Sequence, residues 1–97
     1  MYTVKNTIKE QPIKGLKIEK LHLESQPEIL SISLEKGSVF PEHTSPRNAS
    51  LIVLQGELIF HIKNEEYKLS SQQLFQFEKE EPHWVEALQD SKFLIIR

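Results

Sequence analysis

The sequence predicts an all-β domain. Three observations carry that prediction: apolar and polar side chains alternate with period two, the alternating runs are short, and turn-forming residues separate them. Leu30, Ile32 and Leu34 alternate with Ser31, Ser33 and Glu35, and Leu58, Phe60 and Ile62 alternate with Ile59, His61 and Lys63, the pattern of half-buried strands. Turn signals stand at Gln26-Pro27, Lys36-Gly37, Ser45-Pro46-Arg47-Asn48, Gln55-Gly56 and Asn64-Glu65. Short strands at such spacing build a sandwich or a barrel. With 97 residues, 38% of them hydrophobic and 27% charged, the chain has room for one small core.

In chain order, residues 1–15 read as an N-terminal arm or edge strand and residues 16–97 as a single domain without repeats or linkers. Residues 3–10 are expected as strand or irregular arm, because Val4 and Ile8 alone make a poor helical face. The alternation from Leu30 to Leu34 gives the first clear strand. Ala49, Leu51 and Val53 share one face of the next clear strand, and on the strand before it His43 and Ser45 share a parity. Leu58 to Ile62 follows, then Tyr67 and Leu69 around Lys68, and Phe75 and Phe77 around Gln76. His83, Val85 and Ala87 form another inward row. That row turns Trp84 outward beside Ile59, with core burial through a twist or bulge as the competing reading. The closing run Phe93-Leu94-Ile95-Ile96 is apolar on both parities, so a barrel wall covers one face and a second subunit the other. A homodimer interface containing Ile59, Trp84, Leu94 and Ile96 is expected.

Charge excludes several roles. Twelve Lys plus Arg against fourteen Asp plus Glu give a net charge of −2, with the basic residues scattered, whereas nucleic acids and anionic membranes need concentrated positive charge. No apolar run approaches the ~20 residues of a membrane span. Met1 to Asn6 carries no apolar segment with a cleavage site, so the expected location is cytoplasmic. The chain has no cysteine, which removes disulfides, thiolate ligands and cysteine nucleophiles together. Helix-turn-helix, phosphate-loop and serine-nucleophile signatures are also missing.

The spacing of a few residues in the second half is more specific. Gly37, five residues, His43, one residue, Ser45, three residues, Ala49, six residues and Gly56 resembles the first motif of the cupin superfamily, which runs Gly, His, His, Glu, Gly over the same spacers. Gln72, Glu78, Glu80, His83 and Ala87 occupy the slots of the second motif, Gly, Pro, Gly, His, Asn. The first histidine and both glycines survive in one motif, and only the histidine in the other. The resemblance implies a cupin-like jelly-roll β-barrel (a double-stranded β-helix) with a pocket at one end, where metal-binding cupins hold an ion with three His and one Glu. Here Ser45 and Ala49 replace an imidazole and a carboxylate. The remaining candidate ligands are His43 and His83, fewer than the three protein donors usual for catalytic zinc or non-haem iron.

Three functions are therefore carried forward. The first is a metal-independent binding or sensing module for a small molecule, its pocket lined by His43, Ser45, Ala49, Leu51, Val53, Phe60, Phe75, Phe77, His83 and Val85, with Phe40 nearby. The second is a metal-dependent enzyme of dioxygenase or isomerase type, with Zn, Ni, Mn or Fe on His43 and His83. The third is a structural or partner-binding dimer whose barrel is filled by its own side chains. A structural role for the two histidines would have them hydrogen-bonded to each other, to Ser45 or to water. Arg47 reads as a surface residue or as a clamp for a carboxylate or phosphate ligand. Glu80, standing where the family has glycine, is expected to divert the loop over residues 78–82, because glutamate resists positive φ.

Overall fold

A computed structural model describes residues 2–97; Met1, the first residue of the expected arm, lies outside them. A helical turn, α1 (Thr7–Glu10), precedes nine strands: β1 (Leu16–Leu21), β2 (Ile29–Leu34), β3 (Val39–His43), β4 (Ala49–Gln55), β5 (Glu57–Ile62), β6 (Glu65–Ser70), β7 (Leu74–Phe77), β8 (His83–Ala87) and β9 (Ser91–Ile96). They form a five-stranded sheet, β1-β2-β9-β4-β7, and a four-stranded sheet, β3-β8-β5-β6. Every pairing is antiparallel, and the two sheets pack as the jelly roll that the motif spacing implied. Among the described residues, no helix is long and apolar enough to cross a membrane.

Alternation decides what is buried. Ile32 and Leu34, Leu51 and Val53, Leu58 and Phe60, Val85 and Ala87, and Phe93 and Ile95 all point between the sheets and are buried, as period-two strands with one dry face require. The β5–β6 hairpin turns through Lys63 (φ 52°) and Asn64 (φ 60°). Two successive positive φ values mark the type I′ turn whose twist matches paired strands.

The N-terminal expectation needs correction. Residues 3–10 are not a strand or wholly irregular, since Thr7–Glu10 forms a helical turn. Its cause is tertiary. The Lys92 ammonium donates to the carbonyl oxygens of Ile8 (2.8 Å) and Lys9 (3.2 Å), reinforcing a helix end at which the Ile8 carbonyl also accepts from the Gln11 N–H at 3.3 Å. Gln11 then exchanges two hydrogen bonds with Ser31, through its amide to the backbone carbonyl (2.9 Å) and its side-chain oxygen to the hydroxyl (3.0 Å). Ser33 donates to the Pro12 carbonyl at 2.7 Å. The arm thus covers polar outer residues of β2 and β9, which explains why Ser31, Ser33 and Lys92 are buried.

Candidate functional site

The site begins with a strand irregularity. β3 and β8 pair as Val39↔Glu86, Phe40↔Val85 and His43↔His83, with a register shift between Phe40 and His43. Three steps on β3 match two on β8, so one residue is extra. Residues three apart normally face opposite sides of a sheet, but this bulge brings Phe40 and His43 to the same face. Their rings stack, with centroids 4.1 Å apart and planes 13° from parallel.

His43 meets His83 edge-on at 4.2 Å and 67°. His83 is 2% exposed, stacked on Phe60 at 5.1 Å and tilted against Phe77 at 4.7 Å. The expected pairing of the histidines with each other or with Ser45 is corrected in its details. Nδ1 of His43 bonds the Pro41 carbonyl at 2.7 Å, and Nδ1 of His83 bonds the Glu81 carbonyl at 2.8 Å. A carbonyl oxygen only accepts, so each neutral ring carries its proton on Nδ1 and leaves a lone pair on Nε2. Ser45 is occupied by its own turn: its hydroxyl donates to the Arg47 carbonyl at 2.6 Å. Arg47 itself lies 4.0 Å from Glu28.

Burial pushes the His83 pKa below the ordinary imidazole value; the nearby His43 lowers it further, while the bond to the Glu81 carbonyl opposes the shift. A depressed folded-state pKa means that the unfolded chain takes up a proton first on acidification. The stability contribution of neutral His83 is complete above pH ~6.5 and is lost as pH falls from there toward the folded value. Wild type is therefore expected to lose more stability between about pH 7 and 5 than His83→Phe does, measured by urea unfolding at each pH. Parallel losses would remove His83 as the cause.

The loop before His83 also corrects an expectation. Glu80, in the slot where the family motif has glycine, adopts φ 62°, the left-handed conformation that glutamate is expected to resist. Its N–H donates to the Ser45 carbonyl at 2.8 Å, and the Lys79 N–H donates to Asn48 Oδ1 at 2.9 Å. These two bonds fasten the loop to the β3–β4 connection and aim His83 inward.

Of the other pocket candidates, Leu51, Val53, Phe60 and Val85 are at most 1% exposed, and Ala49 and Phe77 are also buried; Phe75 packs against this cluster half-buried. Phe60 lies 4.8 Å from Phe75 and 4.9 Å from Phe77. These residues make a packed aromatic and aliphatic floor, so His43 and His83 are the polar members at its end. The family's four-donor cage does not fit these residues. Two slots hold a methyl group and an already bonded hydroxyl, and among the described residues no three His, Cys, Asp or Glu gather around a possible ion position.

The expected interface residues fall on two different surfaces. Leu94 and Ile96 lie on β9, on the outer side of the five-stranded sheet, whereas Ile59 and Trp84 lie on the outer side of the four-stranded sheet. One isologous contact cannot contain all four, because the sandwich separates them. Trp84 faces outward, half-buried, with its indole stacked on His61 at 3.6 Å and 1°. That stack follows from the β5–β8 register His61↔Trp84, which alternation alone does not specify. The carbonyls of Pro41 and Glu81, which set both imidazole tautomers, have no side-chain signature in the sequence.

The family model for the cupin domain matches residues 30–96. No curated protein sequence matches the chain. Among solved structures, a conserved Streptococcus pyogenes protein of unknown function is similar with TM-score 0.81 and 22% identity over 99% of this chain and 86% of that one. An RmlC-like cupin from Desulfovibrio desulfuricans aligns with TM-score 0.83 and 20% identity over 99% and 95% of the two chains. The cupin domain of an XRE family transcriptional regulator from Enterobacter cloacae gives TM-score 0.74 and 21% identity over 86% and 95%. With the motif spacing, the two-sheet topology and the family model in agreement, the chain belongs to the cupin family.

Proposed function

We propose that this cupin is a small-molecule binding or sensing protein that works without a bound metal. The observation that supports it is the His43–His83 contact, with both Nδ1 atoms committed to backbone carbonyls. Two lone-pair acceptors at Nε2, beside the rings of Phe40 and Phe60, suit a ligand with a flat apolar body and a hydrogen-bond donor.

Phenol is the simplest probe of that chemistry. Adding it to 15N-histidine-labelled protein is expected to shift Nε2 of His43 and His83 saturably, while toluene, which lacks the donor, does not. If neither nitrogen moves, or toluene acts equally, this reading fails.

A second reading, compatible with the first, concerns assembly. On the outer side of the five-stranded sheet, Ile52 pairs with Leu94 and with Leu74, which is 58% exposed. An apolar row of this kind favours a second copy of the chain over water. Light scattering at tens of micromolar is expected to give about twice the monomer mass, and Leu94→Lys to give the monomer. A monomeric wild type would refute the dimer.

A further inference from the structure

The barrel end that holds the histidine pair also carries two arginines. β2 begins at Ile29 and β9 ends at Ile96, and their ladder continues one step further: Glu28 and Arg97 exchange both backbone hydrogen bonds, at 2.8 and 2.9 Å. Two residues beyond the buried Ile95, Arg97 has inward parity, and its side chain is only 21% exposed. The register Ser50↔Ile96, taken one step on, sets Arg97 level with Ala49, whose partner Phe77 packs against His83 at 4.7 Å. Arg47, in the β3–β4 connection, reaches the same place. Both guanidinium groups converge on one oxygen: Glu28 Oε1 lies 2.7 Å from Arg97 Nε and 4.0 Å from Arg47 Nη2, while Lys20 meets Glu28 Oε2 at 3.1 Å.

Three cations thus share one carboxylate. Among the described residues, Glu28 is the only acidic side chain within 4.0 Å of either guanidinium, although Glu78, Glu80 and Glu81 stand in a loop at the same end. Arg97 commits only its Nε–H to Glu28, so its Nη donors and the fork of Arg47 suit a second carboxylate. His83 is the independent observation. The ring is 2% exposed and its Nε2 has no protein partner, yet the only sealed unpartnered side-chain atom among the described residues is Nε2 of His61. Nε2 of His83 therefore opens to the barrel end as a free acceptor. The arginine lies within electrical reach of it: burial is the main cause of the lowered His83 pKa, and the positive charge of Arg97 adds to the shift. We propose that this barrel end binds hydroxyaryl carboxylates, the carboxylate held by Arg47 and Arg97 and the hydroxyl donating to a histidine Nε2, an assignment that rests on the small-molecule binding proposed for the histidine pair.

The test is an NMR titration of 15N-histidine-labelled protein at about pH 7.5, where an ordinary histidine is mostly neutral, with 3- and 4-hydroxybenzoate, the matching hydroxybenzamides and phenol, at constant ionic strength. At least one hydroxybenzoate is expected to shift Nε2 of His43 or His83 with half-saturation at least about fivefold below that of phenol. The hydroxybenzamides, equally flat but uncharged, are expected to bind no tighter than phenol. Arg47→Gln, at a half-exposed position, is expected to reduce the preference for the carboxylate at least about threefold while leaving phenol binding unchanged, and Arg97→Gln to act in the same direction. If phenol moves the histidine nitrogens but the hydroxybenzoates bind no tighter than the hydroxybenzamides, this proposal is overturned and the small-molecule reading of the histidine pair stands. If neither phenol nor the hydroxybenzoates move them, both are overturned. Full retention of the carboxylate preference in Arg47→Gln protein, shown to be folded by circular dichroism, also overturns the assignment.

Discussion

Gly56→Ala is expected to destabilise the protein by at least ~3 kcal/mol. Two separate costs combine at this position. Gly56 has φ 91°, a conformation that disfavours any Cβ. That Cβ would also run into the backbone oxygen of Asp90 and the hydroxyl of Ser91, and stand 2.7 Å from Ser91 Cα. Neither segment can yield cheaply, since Ser91 Oγ is bonded into the same junction through the Glu57 N–H and the Gln89 carbonyl. Gly37 is the control. It has φ 84° but open space where a Cβ would go, so Gly37→Ala should cost only the backbone component, about 1–2 kcal/mol. For a domain of this size, each kcal/mol corresponds to roughly 4–8 °C of melting temperature. Thermal unfolding of the two variants separates close approach from positive φ. Equal losses would show that the contact with Asp90 and Ser91 carries no cost.

Phe60→Ala is expected to cost ~3–5 kcal/mol, the range for emptying a buried aromatic position. Phe60 is 1% exposed and touches Phe75, Phe77 and His83. Its removal should also reach the candidate site. Burial is the main cause of the lowered His83 pKa, so a cavity that admits water should move that pKa back up toward the ordinary imidazole value. Phe60→Leu fills most of the space and keeps the site dry, so it should cost less and shift the titration less. Urea unfolding and NMR titration of His83 measure the two effects separately. A large stability loss with an unmoved His83 titration would mean that Phe60 does not set the environment of that ring.

The fold was legible because alternation and spacing are local records of a two-faced sheet. Ile32 and Leu34, or Leu58 and Phe60, announce a dry side without knowledge of their partners, and His43 and His83 stand at motif positions although most other slots hold different residues. Features that depend on what crosses the sheet were not legible. The helical turn at Thr7–Glu10 exists because Lys92, far along the chain, meets its carbonyl groups. The stack of Phe40 on His43 requires a bulge whose evidence is a register shift rather than a residue type. Separation of Leu94 from Trp84 requires the strand order of both sheets. Glu80 shows the reverse case: its propensity argued against a left-handed turn, and two hydrogen bonds around the loop overrode it.

The most direct measurement is long-range 1H–15N correlation of the imidazoles at about pH 8, where an ordinary histidine is neutral. Rings held by Pro41 and Glu81 are expected to show protonated Nδ1 and bare Nε2 at both His43 and His83, with nuclear Overhauser contacts between the two rings. A proton on Nε2 of either ring, or rings with no mutual contact, would contradict a barrel end built around paired free acceptors.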